Sequence, residues 1–318
     1  MPWRGSRDPY RIWIAEVMLQ QTRAATVARH YARFLERFPD VGTLAAAARP
    51  EVLLAWAGLG YYRRAHQLHE AARLIVKAGA FPRDASGWRA LPGVGEYAAA
   101  AIASIAFGEP VPALDSNAVR VLSRLLAERG CVGTAGTRRR LANAARLLLD
   151  PGDPGRFNQA LMDLGATICV ARAPQCDRCP LARHCLARRH GIEKELPRLR
   201  PRPPRVPVRQ TLLWVERDGA LLLRRLPAGR LQGFWELPSH GEIPGARVEG
   251  SLVEVRHSIT RYDYRIQVLR ALVDQAPQGC RWVTGEELER LPLSTVTRKA
   301  LVALGRWRSG HDVGKPVR

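Results

Sequence analysis

The sequence predicts a two-domain chain of mixed class, an all-α domain followed by an α+β domain, and three features predict it. Apolar residues recur at helical spacing through the first 190 residues, and after residue 207 they alternate with polar ones. Between the two runs lies a stretch too rich in proline to hold either pattern. The expected boundaries are therefore 1–190, a linker at 191–207, and 208–318. A length of 318 residues is comfortable for two separate cores.

Taken in order, Ile12, Ile14, Val17, Met18 and Leu19 open an amphipathic run that continues through Val27, Tyr31, Phe34 and Leu35. Further helical runs cover 51–56, 65–76, 97–107, 117–126, 138–149 and 158–168. Glycine and proline clusters at 58–60, 92–95 and 150–155 separate them, and loops this short imply a compact helical bundle. Proline and arginine then intermix from Leu196 to Arg205, which reads as an extended basic linker. Beyond it, 211–215 and 220–223 flank Asp218 and Gly219, a hairpin signal. Tyr262, Tyr264, Ile266 and Val268 alternate with Asp263, Arg265 and Gln267, as in a half-buried strand. Thr284 followed by Glu287 is a capping box opening a short helix, and 297–307 reads as another.

Fifty Lys and Arg against 29 Asp and Glu leave a formal charge of +21, which favours a polyanionic partner, nucleic acid before a membrane surface. No run approaches the roughly 20 unbroken apolar residues of a membrane span, and the first eight residues lack the apolar segment of a secretory signal. Six cysteines are too few for a disulfide scaffold and four of them are clustered, so a reducing compartment with a metal site is expected. The expectation is a cytoplasmic monomer working in the compartment that holds the bacterial nucleoid.

Cys169, Cys176, Cys179 and Cys185 have the spacing C-x6-C-x2-C-x5-C. Four thiolates within one short loop suit tetrahedral zinc or an iron–sulfur cluster. The pattern is not two separated C-x2-C knuckles, and so it leans toward the cluster. Cys131 and Cys280 stand apart and are expected to be packed or surface thiols.

Three further segments carry chemistry. Leu91, Pro92, Gly93, Val94 and Gly95 lie between two helical runs, where glycines let backbone approach an anion and the next helix offers free N–H groups. Asp115 begins a helix, where such groups and the helix dipole hold a carboxylate ionised. Glu16 sits among Ile12, Trp13, Ile14, Val17 and Met18, an apolar setting that raises a carboxyl pKa and makes it a proton donor near neutrality. Each has an ordinary reading as well: a tight turn, an N-cap and a solvent-facing glutamate.

The cysteine spacing, placed directly after the run Met162 to Ala166, resembles the 4Fe–4S loop of the endonuclease III branch of the helix-hairpin-helix DNA glycosylases. The run from Glu16 to Thr22 (Glu-Val-Met-Leu-Gln-Gln-Thr) resembles the MutY adenine-DNA glycosylases within that branch. So do Trp3 and Arg4, Asp8 to Tyr10, Gly58 to Tyr62, and Phe157 to Gly165. The match covers residues 2 to about 186.

The resemblance implies a 4Fe–4S cluster on Cys169, Cys176, Cys179 and Cys185 that shapes a DNA-contacting loop, with Arg172 facing phosphate, and a hairpin of Gly93, Val94 and Gly95 that grips phosphate. It implies Glu16 as the acid that protonates N7 of a flipped-out adenine, Asp115 as the carboxylate that stabilises or captures the sugar cation, Asn117 as the residue that positions the site, and Tyr97 as support for the transition state. Bifunctional relatives carry a nucleophilic lysine at the position of Tyr97, so hydrolysis without strand cleavage is expected. Arg4 and Gln159 would contact adenine, and Gln21 and Tyr61 would wedge into the gap left in the stack, with Leu19 and Thr22 nearby. Ser116 departs from the family's usual Asp-Gly-Asn.

Residues 229–238 resemble a segment of the Nudix-like C-terminal domain of the same family, which recognises 8-oxoguanine; no helix of clustered glutamates follows, and pyrophosphatase activity is not expected. Where relatives carry Phe-Ser-His to read the oxidised base, this chain has Ile259, Thr260 and Arg261, which keep a hydroxyl and a donor. The expected partner is duplex DNA with adenine opposite 8-oxoguanine or guanine. Two other readings stand beside it: a glycosylase for thymine or uracil opposite guanine, and a non-catalytic, cluster-bearing DNA-binding protein.

Overall fold

The structure, a computed structural model, describes residues 1–201, 203–229 and 231–307. Arg202 of the linker, Arg230 of the Nudix-like segment, and residues 308–318 of the expected second domain lie outside them. The chain forms two units. The first holds Met1–Ala47 and the residues from His66 to the linker; the second holds Ala48–Ala65 and the residues from Pro203 onward.

The helices are α1 (Pro9–Leu19), α2 (Ala24–Arg37), α3 (Val41–Ala46), α4 (Arg49–Ala55), α5 (Arg63–Ala78), α6 (Ala85–Arg89), α7 (Glu96–Phe107), α8 (Ser116–Leu125), α9 (Ala135–Leu148), α10 (Pro154–Thr167) and α11 (Leu186–Arg189). Of these, α4 lies in the second unit, and α5 begins there and continues into the first. Aspartates start many of them. Asp8, Asp40, Asp84, Asp115 and Asp153 each accept a backbone N–H of the first turn, satisfying donors that a helix leaves open.

The long run from Ile12 to Leu35 is two helices, not one. It breaks at Gln20–Arg23, where Gln21 takes φ 56°. Periodicity could not show this break because α1 is buried nearly all round, from Ile12 through Met18. Helix α7 is equally dry, with Ala98 to Ile105 all buried, and packs against α1 and α10. Small residues set these approaches. A Cβ on Gly155 would meet backbone of Ser104 and Ile105 at 2.8 Å, and one on Gly165 would meet Asn117 Cβ at 2.7 Å. Val121, Leu122, Leu141, Ala145 and Leu161 close a smaller core between α8, α9 and α10.

The start of the linker is strapped down within the first unit. The Arg124 side chain donates to Leu196 O at 2.9 Å, and Val132 N donates to Arg198 O at 3.0 Å.

The second unit carries β1 (Val206–Trp214), β2 (Glu216–Arg217), β3 (Ala220–Arg225), β4 (Trp235–Glu236), β5 (Arg247–Ile259), β6 (Tyr262–Leu272), β7 (Cys280–Val283), α12 (Gly285–Arg290) and α13 (Thr295–Ala303). One sheet has the order β1-β6-β5, with β1 parallel to β6; in the other, β3 pairs with β2, β4 and β7. The expected hairpin forms around Asp218 and Gly219, both at positive φ, but its first arm is the short β2. Residues 211–214 belong instead to β1 and pair with β6 in the other sheet. The physical reason is that these strands are buried on both faces. Leu212 and Trp214 enter one core with Leu221, Leu223 and Val268, while Leu213 and Val215 enter another with Leu222 and Ala271. Such strands read as continuous apolar runs and conceal which neighbour they pair with. Among the described residues no helix is long and apolar enough to cross a membrane.

Candidate active site

Glu16 is 2% exposed on α1, and its Oε2 accepts a hydrogen bond from the Tyr97 hydroxyl at 2.6 Å. That hydroxyl is also 3.4 Å from Met162 Sδ, so α1, α7 and α10 meet at one point. Burial pushes the Glu16 carboxyl above its ordinary range. The Tyr97 bond and the positive charge of Arg4 oppose that shift, and the negative charge of Asp115 adds to it. Burial also holds the Tyr97 phenol well above its usual value, aided by the neighbouring carboxylates, so Tyr97 remains a donor.

Asp115 caps α8. One oxygen accepts from Ala118 N at 2.7 Å and the other from Asn117 Nδ2 at 2.8 Å. The helix-start donors are where sequence reasoning puts them, but the net direction differs from its expectation. Burial outweighs the donors and the charge of Arg120, and the Asp115 pKa is raised. Ser116 is the first residue of α8 and does not take positive φ, so the position makes no demand for glycine.

Asn117 is itself held by Arg120. The Arg120 guanidinium donates to Asn117 Oδ1 at 2.8 Å, to Gly165 O at 2.6 Å and to Cys169 O at 2.7 Å. A continuous chain of bonds therefore runs from the first cysteine of the loop through Arg120 and Asn117 to the Asp115 carboxylate. Upstream, the fully buried Asn158 accepts from Ala113 N at 3.0 Å and donates to Ser104 Oγ and Val111 O, which fixes the strand of chain entering Asp115. Arg4 reaches the same region and pairs with Asp163 Oδ1 at 2.6 Å, while Gln159 is half-buried one turn earlier on α10.

Arg120, Met162 and Asp163 are members of this constellation that sequence reasoning missed. The available signals were the i, i+4 spacing of Arg120 and Arg124 on one face of a short helix, and of Gln159 and Asp163 on another.

The four cysteines line one cavity together with Arg124 and Glu193. Arg124 is 1% exposed and donates to Cys169 Sγ at 3.3 Å and to Val170 O and Ala171 O at 2.7 and 2.8 Å, so the loop is wrapped on a buried guanidinium. Among the described residues no three His, Cys, Asp or Glu side chains are arranged to hold a metal ion. Arg172 is exposed on the same loop. Cys131 and Cys280 are half-buried and lie in other segments, Cys280 at the start of β7.

Gly93 takes φ 77° between α6 and α7, Val94 is buried, and Gly95 caps α7 without a side-chain acceptor, leaving open space where a Cβ would stand. Leu19 and Thr22 are half-buried at the break after α1, and Gln21 is exposed there. Tyr61 belongs to the second unit and is 47% exposed at φ 47°. Thr260 and Arg261 form the exposed two-residue turn joining β5 to β6.

Two family models match the chain: "HhH-GPD superfamily base excision DNA repair protein" over residues 14–146 and "NUDIX domain" over residues 210–303. The adenine DNA glycosylase of Mus musculus is 34% identical over an alignment covering 99% of this chain and 76% of that protein. Among solved structures, a thermostable thymine-DNA glycosylase is 32% identical with a TM-score of 0.53, covering 60% of this chain and 88% of its own. A trapped covalent intermediate of endonuclease III with DNA is 25% identical with a TM-score of 0.51, covering 59% and 87%.

Proposed function

The chain belongs to the adenine DNA glycosylase family, and we propose that it hydrolyses the N-glycosidic bond of adenine mispaired with 8-oxoguanine or guanine in duplex DNA, as a step of base excision repair. The observation that carries this reading is a pair of carboxylates, one buried and one half-buried, held by different partners. Glu16 is dry and bonded to Tyr97, Asp115 is capped by backbone and amide donors, and the charge of Asp115 acts on Glu16.

These environments suit the two roles that cleavage needs. Burial favours the protonated form of Glu16, which gives its proton to N7 of the extruded adenine, so the base leaves neutral. Asp115 faces the positive charge that develops on the sugar, steadied by Asn117, and captures or shields that carbon. Glu16, now a carboxylate, takes a proton from the water that completes hydrolysis. Tyr97 offers a phenol and no amine, so the sugar is released without a Schiff base and the strand is left intact. Arg4 and Gln159 contact the base in this reading, with the Arg4 guanidinium held beside α10 by its pairing with Asp163. Gln21 and Tyr61 fill the gap in the stack, whose opening costs a few kcal/mol, with Leu19 and Thr22 beside Gln21. Gly93, Val94, Gly95 and Arg172 grip phosphate. Thr260 and Arg261 read the opposite purine.

Cys169, Cys176, Cys179 and Cys185 would hold a 4Fe–4S cluster. In support, the four thiols line one cavity together with the buried Arg124, and four thiolates are the ligand set such a cluster takes. When bound, the cluster supplies structural order to the loop and takes no part in bond cleavage.

The test is base release from duplexes carrying A opposite 8-oxoguanine, A opposite guanine, and T opposite guanine. Free adenine and an abasic site, with no nick until base or heat is added, are the expected products. Release of thymine from T:G in place of adenine would transfer the reading to a thymine glycosylase, the activity named for the similar thermostable structure.

A further inference from the structure

Tyr61 stands on a rigid mount. Its backbone takes φ 47°, and its neighbours Gly58 and Gly60 also lie at positive φ, 102° and 69°. Behind its ring lies the buried guanidinium of Arg64, 5.5 Å from the Tyr61 centroid and 5.3 Å from that of Trp56. Arg64 donates to Leu59 O and Gly60 O, both at 3.1 Å, and Trp56 Nε1 donates to Gly60 O at 3.2 Å. A strained backbone bearing an exposed ring persists only where its surroundings over-determine it, and here they do.

The next residue points inward. Tyr62 is 4% exposed, and its ring centroid lies 4.1 Å from that of Phe234, which is fully buried. Gly233 lies at φ 85°, and a Cβ there would stand in ordinary contact, 3.4 Å from Leu53 Cδ1. Phe234 is fixed in turn by its backbone: Leu226 N donates to Phe234 O at 2.8 Å, and Phe234 N donates to Leu231 O at 3.0 Å. All of these residues lie in the second unit. They bring the 48–65 segment and the Nudix-like segment into one packed body.

We infer that Phe234, acting through Tyr62, is a positioning residue for Tyr61, so that the C-terminal domain holds the ring that enters the duplex when a base is extruded. The inference rests on the wedge reading of Tyr61 given above. A ring inserted into a base stack must resist the stack's tendency to close, and a loop at positive φ relaxes unless both of its ends are anchored. Arg64 anchors one side, and the Tyr62–Phe234 pair anchors the other. An aromatic pair of this kind contributes about two- to tenfold in an equilibrium constant beyond its buried area.

The experiment uses the full chain with Glu16→Gln to block excision, bound to a duplex with 2-aminopurine as the target base, whose fluorescence rises on unstacking. Tyr61→Ala, Phe234→Leu and the double variant are compared, with leucine chosen to keep the core filled. Phe234→Leu should lower the extruded-to-stacked ratio about two- to tenfold, and should add nothing in the Tyr61→Ala background, with the melting temperature of the single variant nearly unchanged. If Phe234→Leu has no effect, or adds in full to Tyr61→Ala, the anchor is refuted while the wedge reading stands. If Tyr61→Ala alone leaves extrusion unchanged, the wedge reading falls and the anchor falls with it. Loss of extrusion through unfolding is separated by Tyr62→Leu, which must reproduce the same dependence on Tyr61 or overturn the inference.

Discussion

The hydroxyl of Tyr97 lies 2.6 Å from Oε2 of Glu16, a distance at which a phenol donates strongly to a carboxylate. The bond is the principal force opposing desolvation of Glu16, because burial raises the carboxyl pKa and the Tyr97 hydrogen bond is the largest contribution lowering it. The bond therefore lowers the pH at which the acid would otherwise be loaded.

Tyr97→Phe removes that bond and leaves burial unopposed by it, so the Glu16 pKa rises further. Excision that needs protonated Glu16 is present below the folded-state pKa and lost as pH rises through it. The descending limb of the pH profile should therefore move to higher pH in the variant. Single-turnover rates across the pH range check this; a limb that stays in place removes Tyr97 from the titration of Glu16.

Glu16→Gln should reduce excision by about 10²- to 10⁴-fold, the usual contribution of a positioned acid, while duplex binding is kept. The same change should stabilise the fold at neutral pH. A carboxyl whose folded pKa is raised binds its proton more tightly when folded, so stability is greatest below the unfolded pKa and falls as pH rises through the folded one. The neutral amide has no such slope. Thermal melts at mildly acidic and mildly alkaline pH should show the parent losing more stability between them than the variant does.

Arg120→Lys tests the bonds between the cysteine loop and Asp115. A guanidinium satisfies Asn117 Oδ1, Gly165 O and Cys169 O together, and a lysine ammonium cannot span all three. An acceptor left unsatisfied in a buried setting costs about 1–3 kcal/mol. The expected result is a single-turnover rate at least about tenfold lower, from about 1.4 kcal/mol of lost positioning, with duplex affinity changed much less. An unaltered rate would mean that Asn117 holds Asp115 without help from the loop.

Much of this site was legible because its parts announce themselves locally. Glu16 is conspicuous as a carboxyl inside a run of Ile, Trp and Val, and four close cysteines announce a shared centre. Arg120 was not legible, since an arginine on an amphipathic helix reads as solvated until the opposing carbonyls of Gly165 and Cys169 are seen. Gly165 was hidden for a related reason: its value lies in the Cβ it lacks, which lets Asn117 approach from another helix. The break after Leu19 and the partner of residues 211–214 were obscured by burial on all sides, which erases the polar face that periodicity needs. The grouping of 48–65 with the C-terminal strands depends on contacts such as Tyr62 with Phe234, far apart in sequence.

At Thr260, stability and the proposed reading role point in opposite directions. It sits in the turn between β5 and β6 at φ 53°, a conformation disfavoured for a β-branched residue, with its hydroxyl donating to Ile259 O at 2.7 Å. Glycine takes that conformation without strain, so Thr260→Gly should stabilise the domain by about 1 kcal/mol. If the hydroxyl reads the purine opposite adenine, the same change should lower the preference for A:8-oxoguanine over A:G by about tenfold, the lower part of the range for a base contact. Thr260→Ser separates the two effects, since it keeps the hydroxyl and removes the branch; it should hold the preference while gaining part of the stability. The ratio of kcat/KM values on the two duplexes, with melts of the same three proteins, decides the matter. A preference unchanged in Thr260→Gly would leave the strained turn without a part in damage recognition and shift that role to Arg261, whose guanidinium stacks 5.3 Å above Tyr262 at the same tip.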